Sequence, residues 1–169
     1  MKNFQKKIIV VAMLLAFQAI LADDKKKPAF ELYKGGWFEI EYPKEFTVKP
    51  SLASNMPDKY DSVYFESPDG KVKFYVYSPQ WSGEATDISR TASLEIEKDT
   101  KVEKKNGITN KWYTYEKKDG TGFRSYQETI NEAGPTKHII GFEYSDREAY
   151  KKYRDAYMKF KKSLKQFAD

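Results

Sequence analysis

The stretch "SVYFESPDGKVKFYVYS", Ser62 to Ser78, holds two alternating runs on either side of a turn. Val72, Phe74 and Val76 fall on one face of the second run, and Lys73, Tyr75 and Tyr77 on the other, the period of a strand. "PDG" between the runs supplies a tight turn, with Gly70 able to take the positive φ such turns need. The pair reads as a central antiparallel hairpin.

Outward from it, the same alternation recurs on both sides. Upstream, "WFEIEYP" follows Gly35-Gly36, with Phe38, Ile40 and Tyr42 on one face. "EFTVKP" reads as a short continuation, and Ser51 to Asp61 as a loop. Downstream, "KWYTYEK" and "FRSYQETI" flank the turn "KDGTG", and "KHIIGFEY" follows the loop "NEAGPT". Short turns make neighbours antiparallel, so the expectation is an antiparallel sheet of about six strands.

Two segments read as helix. In "ATDISRTASLEIEKDT", Ala85 to Thr100, Ile88, Ala92 and Ile96 recur every four residues, with Thr86 or Asp87 as cap. "KVEKKNGITN" then reads as a polar connection. In "SDREAYKKYRDAYMKFKKSLKQF", Ala149, Tyr150, Tyr153, Ala156, Tyr157, Phe160, Leu164 and Phe167 form one apolar stripe. Ser145 and Glu148 have capping-box spacing. A helix from Asp146 to Phe167 is expected to lie across the sheet, held by packing rather than by its surface charges.

The chain starts with a segment of another kind. "MKNFQKK" is basic, "IIVVAMLLAF" apolar, and "QAILA" ends in small residues, the layout of a secretory signal peptide over residues 1–22. The apolar run is short of the ~20 residues a membrane-spanning helix needs. "DDKKKP" then opens a charged leader over 23–29, and 30–169 reads as a single domain. Without Lys2, Lys6 and Lys7, the 30 Lys and Arg against 25 Asp and Glu become 27 against 25, a net charge of +2. That balance lacks the basic footprint of a nucleic-acid binder. The sequence has no cysteine, which removes disulfides, thiolate metal sites and cysteine nucleophiles.

The order of these elements resembles the PsbP-like domains: a glycine-led strand ending in "EYP", the hairpin around "SPDG", a helix, two strands, "HIIGFEY" and the terminal helix. The likeness spans about Phe30 to Phe167. It implies an α+β fold, an α/β/α sandwich with a helix after the central hairpin and a long C-terminal helix on the sheet. It also implies a non-catalytic module that docks onto a larger assembly; export is read from residues 1–22. Metal sites in that family use histidine and carboxylates; His138 is the sole histidine here, and no ligand residue carries over.

The residues themselves point the same way. A lone His138 without a "GxSxG" elbow does not make a hydrolytic triad. "DGTG", Asp119 to Gly122, lacks the remaining ligands of a calcium or phosphate loop. The acid/base option left is a carboxylate pair among Glu39, Glu41, Glu128, Glu143, Asp58 and Asp61, the basis for an envelope-associated hydrolase as the alternative. A second alternative is a lipid- or surface-binding protein using the basic face of the last helix, with Lys159, Lys162 and Lys165. Tyr64, Tyr75, Tyr77, Tyr113, Tyr115 and Tyr126 either line a covered face or form an open aromatic surface. The candidate partner surface is therefore Trp81, Tyr75, Tyr77, Lys159, Lys162 and Lys165. Trp81, in "SPQWSG", is expected to be largely buried where strand crosses into helix. No cofactor, metal ligand or catalytic residue is assigned, and the partner is a protein or envelope component.

Overall fold

The computed structural model describes residues 28–134 and 136–167. The signal peptide assigned to 1–22 and most of the charged leader lie outside the described residues.

Among the described residues ten strands form two sheets, rather than the one sheet of about six expected from the sequence. The strands are β1 (Phe30–Lys34), β2 (Phe38–Pro43), β3 (Thr47–Pro50), β4 (Ser62–Glu66), β5 (Val72–Tyr77), β6 (Glu95–Lys105), β7 (Ile108–Lys117), β8 (Phe123–Asn131), β9 (Thr136–Tyr144) and β10 (Lys165–Gln166). One helix, α1 (Arg147–Lys162), precedes β10. The large sheet runs β3-β4-β5-β9-β8-β7-β6, and the small one β1-β2-β10. All pairings are antiparallel.

The central hairpin pairs as its alternation requires, Val63 opposite Val76 and Phe65 opposite Phe74. Gly70 closes its turn at φ 66°. Val72, Phe74 and Val76 face α1 and the small sheet, in a core with Phe38, Ile40, Val63, Phe65, Ile140, Phe142 and Phe160. Phe160 sits edge-on to Phe65, their ring centres 5.4 Å apart, so α1 is anchored between the two hairpin strands and β2. Helix and small sheet together cover this face of the large sheet over β4, β5 and β9.

The helix expected after the central hairpin does not form. Only Thr86–Ile88 turn, as a single 3₁₀ turn, and Glu95 onward is strand β6. Of the four-spaced residues, Ile88 is buried, whereas Ala92 and Ile96 are exposed. Ser and Thr between them compete for backbone hydrogen bonds and weaken a helix. β7 meanwhile offers a ladder along the whole of β6, broken by one irregularity between Glu97 and Asp99. The supposed polar connection is the tip of this hairpin, with Asn106 and Gly107 both at positive φ. With no second helix among the described residues, the architecture is α+β but not an α/β/α sandwich.

The C-terminal helix is shorter than its apolar stripe. Asp146, not Ser145, is its N-cap, its carboxylate accepting from the Ala149 amide at 2.8 Å. Ser145 instead donates to Asp146. The helix ends at Lys162 because Ser163 turns its hydroxyl back to the Phe160 carbonyl at 2.7 Å and accepts the Glu41 amide at 2.8 Å. Chain beyond it adds β10 to the free edge of β2, Lys165 opposite Glu39.

Candidate functional site

The opposite face of the large sheet belongs to the tyrosines. Register sends Tyr64, Tyr75, Tyr77, Tyr113, Tyr115 and Tyr126 to one side. Tyr75 and Tyr77 are 0% and 4% exposed, which removes them from any partner surface. No helix covers them; the strap from Gly83 to Glu95 does. Ile88 of its 3₁₀ turn packs with Tyr75, Tyr77, Tyr126 and Ile139. Gly141 lets the rings close in: a Cβ there would lie 2.6 Å from the Tyr126 ring.

Two polar fasteners hold the strap down. At one end Asp87 accepts from Ser62 at 2.7 Å and from the Tyr75 hydroxyl at 2.8 Å. Burial and this carboxylate push the Tyr75 hydroxyl far above its ordinary pKa. Burial and the nearby carboxylates likewise push Tyr77 up to about 12. At the other end Arg124 makes a two-pronged pair with Glu95, at 2.7 and 2.6 Å. It also donates to the Tyr126 hydroxyl at 3.0 Å, and to the Ile88 and Ser89 carbonyls. Tyr126 passes the contact on to Glu143 at 2.7 Å. Hydrogen bonds from Arg124 hold the Glu95 carboxyl below the usual carboxylate range.

Chemically, this network is closed. Each nitrogen of the Arg124 guanidinium donates to a protein acceptor, and both Asp87 oxygens are occupied. It fixes a loop onto a sheet and presents no poised proton donor or acceptor. Between strap and β7–β8 turn lies an open depression of about 490 Å³, lined by Thr91, Leu94, Glu95, Lys118 and Arg124. Sequence reading missed Asp87, Glu95 and Arg124 as partners. The sequence signal was the buried-face position of Arg124, two residues before Tyr126 in an alternating strand.

The remaining sequence candidates are dispersed. Trp81 is 44% exposed rather than buried; with no helix to enter, the chain at "SPQWSG" has no crossover for it to plug. Lys159 pairs with Glu41 at 3.0 Å and lies over the Phe30 ring. Lys162 and Lys165 are exposed, on α1 and β10 respectively.

The carboxylates do not converge either. Glu39 and Glu41 lie on the small sheet, paired with Lys34 and Lys159. Glu128 and Glu143 lie on the tyrosine face, engaged by Lys137 and Tyr126. Asp58 is an exposed loop residue at φ 56°. Asp61 has a buried Oδ1 without a hydrogen-bond partner, and burial raises its pKa. His138 reaches Gln166 Oε1 through Nδ1 at 2.7 Å. Gln166 already donates from Nε2 to Ser78 and the Lys137 carbonyl, so the Nδ1 of His138 carries the proton. Among the described residues no group of three or more His, Asp or Glu is placed to hold a metal, and no helix is long and apolar enough to cross a membrane.

One surface was not anticipated. β6 ends the large sheet, and ten of its eleven residues are exposed. Among the described residues only one of its two backbone edges is paired, with β7. Leu94, just before it, is 65% exposed, and Val102 54%. The sheet therefore finishes in a long open strand edge.

No family model and no curated protein matches the sequence. The fold does match a solved structure, cyanobacterial PsbP (CyanoP) from Synechocystis sp. PCC 6803. The superposition has a TM-score of 0.51 and 8% sequence identity, and covers 83% of this chain and 94% of that one. At that identity the likeness is one of fold, and the chain has a PsbP-like fold.

Proposed function

We propose, from the PsbP-like fold, that this chain is an exported, non-catalytic domain that binds a partner protein along the open edge of β6. The observation that carries it is the edge itself: an eleven-residue strand, exposed at ten positions and, among the described residues, paired on one side only. Such an edge accepts an added strand, with backbone hydrogen bonds giving affinity and alternate side chains giving specificity. Lys98, Lys101, Lys104 and Lys105 along it, with acids between them, oppose pairing of the edge with a second copy of itself. The closed polar network on the tyrosine face supports a scaffold role for that face. Export rests on the leader pattern of residues 1–22.

A photo-crosslinking side chain at Val102, introduced in the producing cell, tests this reading. It is expected to give a discrete protein adduct that Thr100→Pro abolishes, since proline disrupts an edge strand. An adduct formed from Lys162 and not from Val102 would favour the basic helix instead.

A further inference from the structure

The helix side of the large sheet is not fully covered. α1 packs on β2, β5 and β9 and stops short of β7 and β8. Their residues on this side, Trp112 on β7 and Gln127 on β8, directly opposite each other, form the floor of an open groove. α1 forms its wall through Tyr150, Arg154, Tyr157 and Lys161. These four fall at spacings of three and four, one stripe of the helix. The groove holds about 320 Å³, near the lower end of small-molecule sites, roughly 300–1,000 Å³.

Its chemistry is one-sided. Both charged residues lining it, Arg154 and Lys161, are cationic, and no carboxylate lines it. Lys161 is half-buried and its ammonium donates to the Gln127 Oε1, a neutral acceptor. Among the described residues it has no ion-pair partner. Burial alone accounts for its lowered pKa. A half-buried ammonium held by an amide is less stabilised than one facing a carboxylate. Among the described residues Arg154 reaches only Asp155, at 3.9 Å, and that acid is almost wholly in water. The apolar lining is aromatic, with Trp112 and Tyr157 half-buried and Tyr150 exposed.

We propose that this groove binds a small aromatic carboxylate, its ring against Trp112 and Tyr150 and its carboxylate between Lys161 and Arg154. Aromatic surface takes a planar apolar body, and the two cations fix its charged end. This site is separate from the β6 edge and stands or falls independently of it.

Isothermal titration with 2-naphthoate, and with the neutral 2-naphthalenemethanol, tests the assignment. Naphthoate is expected to bind at least tenfold more tightly than the alcohol, as a charge-assisted hydrogen bond would give. Lys161→Met should weaken naphthoate by about tenfold or more and leave the alcohol unchanged. Arg154→Gln, at an exposed position that folding does not need, should weaken naphthoate several-fold, and keeps the test open should Lys161→Met fail to fold. Equal affinity for the two compounds, no binding of naphthoate at millimolar concentration, or unchanged affinity in Arg154→Gln with Lys161→Met unaffected or unfolded, would overturn the proposal.

Discussion

At the scale of single residues, buried polar partners matter more than the exposed aromatics. Arg124 and Glu95 are mostly buried, 13% and 7% exposed in their side chains. Removing one member leaves the other charged and unpaired, so Arg124→Met is expected to cost about 3–5 kcal/mol in urea denaturation. Glu95 also sets a pH dependence. Its folded pKa lies below the unfolded value, so its contribution is full above the ordinary carboxylate range and is lost as pH falls through the folded pKa. The stability gap between wild type and Glu95→Gln should accordingly shrink in acid. Asp61 has the opposite sign: its folded pKa is raised, so its ionised form is penalised at neutral pH. Asp61→Asn should raise the thermal midpoint at pH 7, with the difference disappearing below the ordinary carboxylate range. Tyr75→Phe removes the donor to the Asp87 Oδ1 and should cost about 1–3 kcal/mol. Trp81→Phe, at a half-open loop position, should stay within about 0.5 kcal/mol of wild type.

At the scale of elements, local pattern and remote pairing divide the fold. The hairpin from Ser62 to Tyr77, the β7–β8 hairpin, β9 and the start of α1 are legible because alternation, turn residues and an apolar stripe are local signals. β1 and β10 are not, because each owes its strand form to β2, and β10 is over 120 residues from β2 in sequence. β6 misled for a different reason: Ile88, Ala92 and Ile96 have helical spacing, yet two of the three face water. The candidate site was legible only in part. Aromatic alternation located the tyrosine face, but its cover depends on which loop carries Asp87 and Glu95 to it. The same logic gives a test at Ser163, which both ends α1 and receives the Glu41 amide. Ser163→Ala should cost about 1 kcal/mol and speed hydrogen exchange at the Glu41 amide first.

At the scale of the whole molecule, the middle of the large sheet is covered on both faces, and its β6 end is open. One face is packed under α1 and the small sheet around Phe74 and Phe160. The other is sealed by the strap over Tyr75 and Tyr126. Both clusters are interior, and Phe160→Ala should show it for the first by a loss of about 3–5 kcal/mol. Beyond the groove over β7 and β8, the β6 edge is left open among the described residues, and it is there that we propose another chain docks. The most direct measurement is amide hydrogen exchange on the chain recovered by gentle lysis of the producing cell, compared with the purified chain. Docking at the β6 edge predicts added protection along Ile96 to Lys104, with β4 and β5 unchanged. Unchanged exchange along β6, or protection confined to α1 around Lys159 and Lys162, would contradict it.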